Sequence, residues 1–249
     1  MWIRRITCVS TSRRSDKSSK TIRLGRATSS PSPEWATVSD PPTTIEQAGP
    51  LRIRHRYAEV AFGPDPASCA SPATIIFATP LPNLPQSVYE NGVEVIVSSF
   101  YRSRQLGDAK TGNLLRSVLA LREAKAAGAF EAITLTSEGK ISDGITSNVY
   151  LVQDSTLLTP SAESGILEGI TRAVVLDLAK RAGLKVVEAL LEVGEIEKSS
   201  ELFLTSSTRG VVPIVRVSGK AIGSGKPGPL TRQLMDAYDR EIETLLAED

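Results

Sequence analysis

A mixed α/β fold is predicted by two features of the chain. Short β-branched runs alternate, from Leu51 onward, with longer stretches whose apolar residues recur three or four positions apart, the pattern of strands interleaved with helices. A helix-length segment at residues 170–182 also separates strand candidates at 156–159 and 185–187, and a parallel strand pair needs such a crossover.

Composition limits what such a fold can do. With 249 residues, 41% hydrophobic and 23% charged, the chain can bury a sizeable core in one large domain or two smaller ones. A net charge of +1 argues against a nucleic-acid partner held by bulk electrostatics. Cys8 and Cys69 have no zinc-type spacing and form no disulfide framework, so a reducing, cytoplasmic setting is expected. His55 is the single histidine; a multi-histidine metal site is excluded, no metal is expected, and any Ser-His-Asp triad would need this residue. No apolar run reaches the roughly 18 residues of a membrane span, so no membrane partner is expected.

Residues 1–49 differ in texture from the rest. The bases from Arg4 to Arg26 face a single acid, Asp16, among serines and threonines, and Pro31, Pro33, Pro41 and Pro42 follow without an apolar period. The segment reads as a disordered tail or a misread start of the gene, with a transit-type presequence or basic arm as functional alternatives. From Leu51, alternation of apolar residues with Arg52, Arg54 and Arg56 predicts a half-buried strand running on towards Phe62. His55 shares the phase of Leu51, Ile53 and Tyr57, which makes it a packed or pairing residue rather than a catalyst. Residues 63–72 form a loop, 73–78 a strand, and Pro80, Pro82 and Pro85 an extended connector, because proline disfavours helix in the residue before it. Residues 92–98 are a further strand that delivers the chain through Arg102 and Arg104 to Lys110.

A helix is predicted from near Asn113, with Leu114, Leu115, Val118, Leu121 and Ala124 on one core-facing stripe and Gly128 placed to stop it. Residues 132–136, a turn and Ile141 read as a hairpin; Asn148 opens a strand over 149–152, and residues 153–155 turn it into the strand at 156–159. The helix of 170–182 shows Ile170, Val174, Leu178 and Ala182 on its apolar face. A strand at 185–187, a short helix within 192–198, strands at 202–205 and 211–215, a hairpin turn at Ser218 and Gly219, and an amphipathic helix over 230–246 complete the chain.

Polar groups suited to chemistry gather at four places. Lys110 offers an amine just before a helix, although a lone lysine there is usually a solvated surface residue. Asp143 precedes the cluster of Thr146, Ser147 and Asn148. Gly169, Ile170 and Thr171 open a helix whose first amides and positive dipole end attract an anion, or they simply start and cap that helix. Ser206, Ser207, Thr208 and Arg209 end a strand as a second anion-binding candidate or as a solvated turn. A lysine, a separate carboxylate and two phosphate-cradling sites are the parts that a pyridoxal phosphate (PLP) enzyme requires.

Five segments share one order and spacing: KTGN at 110–113, EAKAAGAFEAI at 123–133, DGITSNVY at 143–150, GILEGITR at 165–172 and TSSTRGVVP at 205–213. Through them the chain from about residue 51 to its end resembles the class IV aminotransferases. These fold-type IV PLP enzymes include branched-chain and D-amino acid aminotransferases and aminodeoxychorismate lyase. The resemblance implies a small N-terminal α/β domain, a larger C-terminal pseudo-barrel domain, and a homodimer with the site between domains. It implies Lys110 as the Schiff-base lysine, Asp143 as partner of the pyridine nitrogen, and Ile170 and Thr171 as phosphate binders through their amides. Gly169 would let the backbone approach the ligand, and by the same resemblance Ser207 and Thr208 would complete the phosphate cup, Ser147 and Asn148 would line the cofactor, and Arg209 would meet a substrate carboxylate. The implied activity is transfer of an amino group from an amino acid to a 2-oxo acid, with the lyase or an inactive truncated homologue acting in protein interaction as alternatives.

Two departures accompany the resemblance. Asp143 stands where the family usually has glutamate, one methylene longer. Residues 1–49 show neither the family's Gly-Asp-Gly-type turn nor its His-x-x-Arg-Leu-like helix. The expected organisation is therefore 1–49 as a basic Ser/Pro-rich segment, 50–109 as an incomplete N-terminal domain, and 110–249 as the PLP-binding domain.

Overall fold

A computed structural model describes residues 51–58, 73–81, 84–101, 110 and 113–247. The expectations for 1–49, for the loop at 63–72, and for Arg102 and Arg104 lie outside the described residues. The chain divides into two compact units, Met1–Leu81 and Pro82–Asp249. In the first, β1 (Leu51–Ala58) pairs antiparallel with β2 (Ala73–Pro80), and His55 lies opposite Ile76 in the register.

The first helix of the second unit is α1 (Gln86–Asn91), just past the proline connector, in a stretch to which the sequence reading assigned no element. Pro85 occupies its N-cap, outside the helical turn, and so obstructs nothing. Only six residues long and without a side-chain cap, α1 is held by tertiary packing of Val88 and Tyr89 on the core, and no local pattern announces that packing. It leads into β3 (Val93–Tyr101), which lies in the same sheet as everything that follows.

Then come α2 (Leu115–Ala126), β4 (Glu131–Leu135), β5 (Ile141–Gly144), β6 (Asn148–Gln153), β7 (Thr156–Pro160), α3 (Ile170–Arg181) and β8 (Lys185–Ala189). The chain closes with α4 (Gly194–Lys198), β9 (Glu201–Ser206), β10 (Gly210–Val217), β11 (Lys220–Ala221) and α5 (Pro229–Ala247). Among the described residues, nine strands form one mixed sheet in the order β5-β4-β3-β10-β9-β6-β7-β8, with β11 beside β10. As expected, β4 and β5 pair antiparallel, and β7 and β8 pair parallel across α3. The β6–β7 turn places Asp154 and Ser155 at positive φ, the geometry of a tight hairpin.

The sheet curls almost into a barrel. Past the end of β8 the Leu191 carbonyl accepts the Ile141 amide of β5 at 2.8 Å, joining the two outer edges. Alternation along the strands sorts side chains to two faces. Leu202 and Leu204 point with Val149, Leu151 and Ile214 into the interior, while Phe203, Tyr150 and Val152 point outward beneath α3 and α5. Pro213 is tolerated in β10 because at that position the strand pairs with β9 alone, the pairing with β3 beginning at Ile214.

Two helix faces differ from the expected stripes. In α2 the buried residues are Ala120 and Ala124, whereas Leu114, Leu115 and Val118 are exposed. The small alanines let the helix lie close on β3 and β4 against Ile96 and Ala132, and the larger residues are left on the rim. In α3 the buried face runs through Thr171, Val175, Leu178 and Ala179, so that Ile170 and Ala182 are exposed. Its orientation follows the Tyr150 and Phe203 rings below, which stack with centroids 4.5 Å apart.

Candidate active site

Strand pairing brings three segments to one edge of the sheet. Asn148 at the start of β6 lies opposite Thr205 near the end of β9, and Ser206 lies opposite Gly210 at the start of β10. The end of β7 reaches the same edge, where Thr159 Oγ1 donates to the Val149 carbonyl at 2.9 Å. The β5–β6 turn, the β9–β10 turn and the start of α3 therefore meet there.

Asp143, on β5, is buried at this edge with both oxygens bonded. Asn148 Nδ2 donates to Oδ1 at 2.9 Å, and the Leu167 amide donates to Oδ2 at 2.8 Å. Asn148 Nδ2 also reaches the Leu167 carbonyl at 2.7 Å, so one amide group ties β6, β5 and the approach to α3 together. The two N–H donors fix the plane of the carboxylate. Gly169, the N-cap of α3, packs against that same side chain: a Cβ there would stand 2.5 Å from Asn148 Oδ1.

Among the described residues no side chain caps α3, and its first turn holds no acid. An uncapped helix start with its amides in place is a ready anion site. Thr171 Oγ1 and Ser207 Oγ stand 3.5 Å apart, which sets the β9–β10 turn, with Thr208, beside that helix start. Lys110 is exposed on the connection between β3 and α2. Under the site, Tyr150 is fully buried and shares a 3.1 Å hydrogen bond with Thr205. Burial pushes its hydroxyl well above the usual tyrosine range, so it remains a neutral strut.

Asp143, Ser147, Asn148, Gly169, Thr171, Ser207 and Arg209 are thus linked by short contacts or shared turns. Arg209 is engaged within the protein: Nη1 donates to Glu131 Oε2 at 2.6 Å, Nη2 to Thr146 Oγ1 at 2.8 Å, and Nε to Ser206 Oγ at 3.0 Å. Sequence reasoning assigned no role to Glu131 or Leu167. A carboxylate at the entry of an otherwise apolar strand was the available signal for Glu131; Leu167 contributes only its backbone, which no side-chain pattern reveals.

The family described as amino-transferase class IV matches residues 43–217. The chain belongs to this family. Among class IV relatives, D-alanine aminotransferase of Bacillus licheniformis is 37% identical over 158 residues, covering 64% of this chain and 55% of its own length. The branched-chain-amino-acid aminotransferase of Pseudomonas aeruginosa is 36% identical over 157 residues, covering 61% of this chain and 51% of its own length. The structure of the Escherichia coli branched-chain amino acid aminotransferase superposes with a TM-score of 0.67 at 31% identity, over 76% of this chain and 64% of that one. That of the T.th. branched-chain amino acid aminotransferase with pyridoxamine 5'-phosphate gives 0.69 at 30% identity, over 76% and 63%. The chain therefore spans roughly half to two thirds of the length of these relatives. The mixed sheet curled into a pseudo-barrel is the class IV fold, as the sequence resemblance implied.

Proposed function

We propose that this class IV protein is a PLP-dependent aminotransferase that moves an amino group from an amino acid to a 2-oxo acid in two half-reactions. The observation that carries the reading is the joint placement of a buried, doubly bonded Asp143 carboxylate and an uncapped helix start beside a hydroxyl-bearing turn. These residues fit the cofactor. The α3 amides of Ile170 and Thr171, with Ser207 and Thr208, supply donors for a phosphate; Asp143 supplies an anion for a ring nitrogen; and Gly169 keeps the cradle beside Asn148 open. When bound, PLP supplies the electron sink for amino transfer.

The rest of the work falls to the chain. Asp143, oriented by Asn148 and Leu167, holds the proton on the pyridine nitrogen. Lys110 would hold the cofactor covalently at rest and, as the free amine released when the substrate's amino group takes its place, would be the base that moves the proton. Ser147 and Asn148 line the ring. Relatives named as D-alanine and branched-chain aminotransferases support amino and 2-oxo acids as the substrate class. A homodimer is supported by the exposed Leu115 and Val118 of α2 with Leu114 just before it, and a cytoplasmic setting by the unpaired spacing of Cys8 and Cys69. None of the described helices is long and apolar enough to cross a membrane.

Added PLP is expected to give a visible absorbance band that borohydride fixes onto the peptide containing Lys110. Lys110→Ala should abolish both the fixation and transamination; a variant that transaminates as well as the parent removes Lys110 from the reaction. Formation of pyruvate and 4-aminobenzoate without an amino acceptor would replace the transferase with a lyase.

A further inference from the structure

Glu131 opens β4 and is only 2% exposed, a carboxylate in a place where an unpaired charge is costly. Its oxygens serve two different turns. Oε1 accepts the Thr146 amide and the Ser147 hydroxyl, each at 2.8 Å; Oε2 accepts Arg209 Nη1 at 2.6 Å. Arg209 bonds onward to Ser206 and Thr146, and its guanidinium lies 5.5 Å from the Phe130 ring centroid. All three guanidinium nitrogens therefore have partners inside the protein. The backbone is shaped around this carboxylate: a Cβ on Gly144 would stand 2.9 Å from Glu131 Oε1 and would collide with Ser147 Oγ.

The location of the pair is more informative than its strength. Glu131 opens β4 and Arg209 sits in the turn that leads into β10, and these two strands are not neighbours, since β3 lies between them. One side of the network ends on the 145–147 turn, which has Asp143 just before it and Asn148 just after. The other side ends on the turn of Ser207 and Thr208. Each is a short turn between two strands. A buried bidirectional tie removes the freedom of one relative to the other, and a ligand gripped at both ends gains affinity from that rigidity.

We propose that Glu131 and Arg209 are positioning residues whose ion pair, between a buried carboxylate and a partly buried guanidinium, sets the phosphate-cup turn against the Asp143–Asn148 turn, and that this engagement withdraws Arg209 from direct substrate binding. The inference rests on the PLP reading above. It gives Arg209 a different task from the substrate-carboxylate contact that the family resemblance implied.

The test is a double-mutant cycle on the full chain, reading PLP affinity from the cofactor's absorbance. Protection of the melt by inorganic phosphate, the melting temperature of the ligand-free protein, and KM and kcat for an amino acid are read alongside it. Glu131→Gln and Arg209→Met are each expected to weaken PLP binding about tenfold or more and to lose phosphate protection, and the double variant to be no worse than the poorer single one, because each single change strands a buried partner. Variants that melt earlier but, below that temperature, bind PLP as the parent does would make the pair structural only and overturn the proposal. Arg209→Met with parent PLP affinity and a raised KM alone would return Arg209 to the substrate and overturn it too. Thr146→Val, at an exposed position, removes one acceptor of Arg209 without stranding a buried charge. It is the check if the other variants fail to fold: weakened PLP binding supports the proposal, and parent affinity overturns it. A parent protein that takes up no PLP sinks the cofactor reading along with this inference, whereas parent uptake with unchanged variants sinks this inference alone.

Discussion

At Gly169 a single hydrogen decides whether the carboxylate of Asp143 stays in place. The Asn148 side chain that holds Asp143 rests against the Gly169 α-carbon, and a Cβ there would lie 2.5 Å from its Oδ1. Gly169→Ala is expected to push Asn148 off its bond to Asp143, costing about 1–3 kcal/mol in a thermal melt, as overpacking does. It should also weaken PLP uptake in an absorbance titration; uptake equal to the parent's would show that Asn148 can yield without moving Asp143. The shorter side chain of Asp143, in place of the family's usual glutamate, finds its partners through the Leu167 amide, whose approach could not be read from residue types.

Among the elements, helices are held by what they cover. α5 has its packed side on Leu234 and Tyr238 and carries Asp236, Asp239 and Glu243 within two turns, at spacings that bring like charges together. Partial burial, and then Asp236 and Glu243, raise the Asp239 carboxyl above its ordinary value of 3.8. A raised acid binds its proton more tightly when folded, so its ionisation costs stability, and that cost grows as pH rises through the ordinary value and levels off above the folded one. Asp239→Asn should therefore raise the melting temperature slightly at pH 7, by a change within about 0.5 kcal/mol for such a surface site. The gain should vanish below pH 3.8, where the parent is itself neutral. Strands and the long amphipathic α5 were legible from periodicity. The faces of α2 and α3 were not, because a helix with apolar residues on several sides can roll by a residue or more, and only the shape of the sheet beneath selects Ala120 and Ala124, or Val175 and Ala179.

Across the molecule, Phe203 joins the parts. It lies in the central strand β9, fully buried, stacked on Tyr150 of β6 and roofed by α3 and α5. Phe203→Ala is expected to cost about 3–5 kcal/mol. Chemical denaturation followed by far-ultraviolet and by near-ultraviolet circular dichroism should then shift together, since helices and rings share one packed layer; separate transitions would mean that the helices and sheet unfold independently. Local periodicity and motif spacing were enough to assign the family, the succession of strands and helices from Leu51 on, and the segments that hold Asp143, Thr171 and Ser207, because each of these is written in neighbouring residues. They left α1 unseen, and they gave no sign that β3 lies between β4 and β10 or that Arg209 is bonded to Glu131. Those points depend on tertiary structure. The packing of α1, the insertion of β3 between β4 and β10, and the pairing of Arg209 with Glu131 across 78 positions of sequence are long-range contacts, and such contacts form only when the curled sheet brings its strands together.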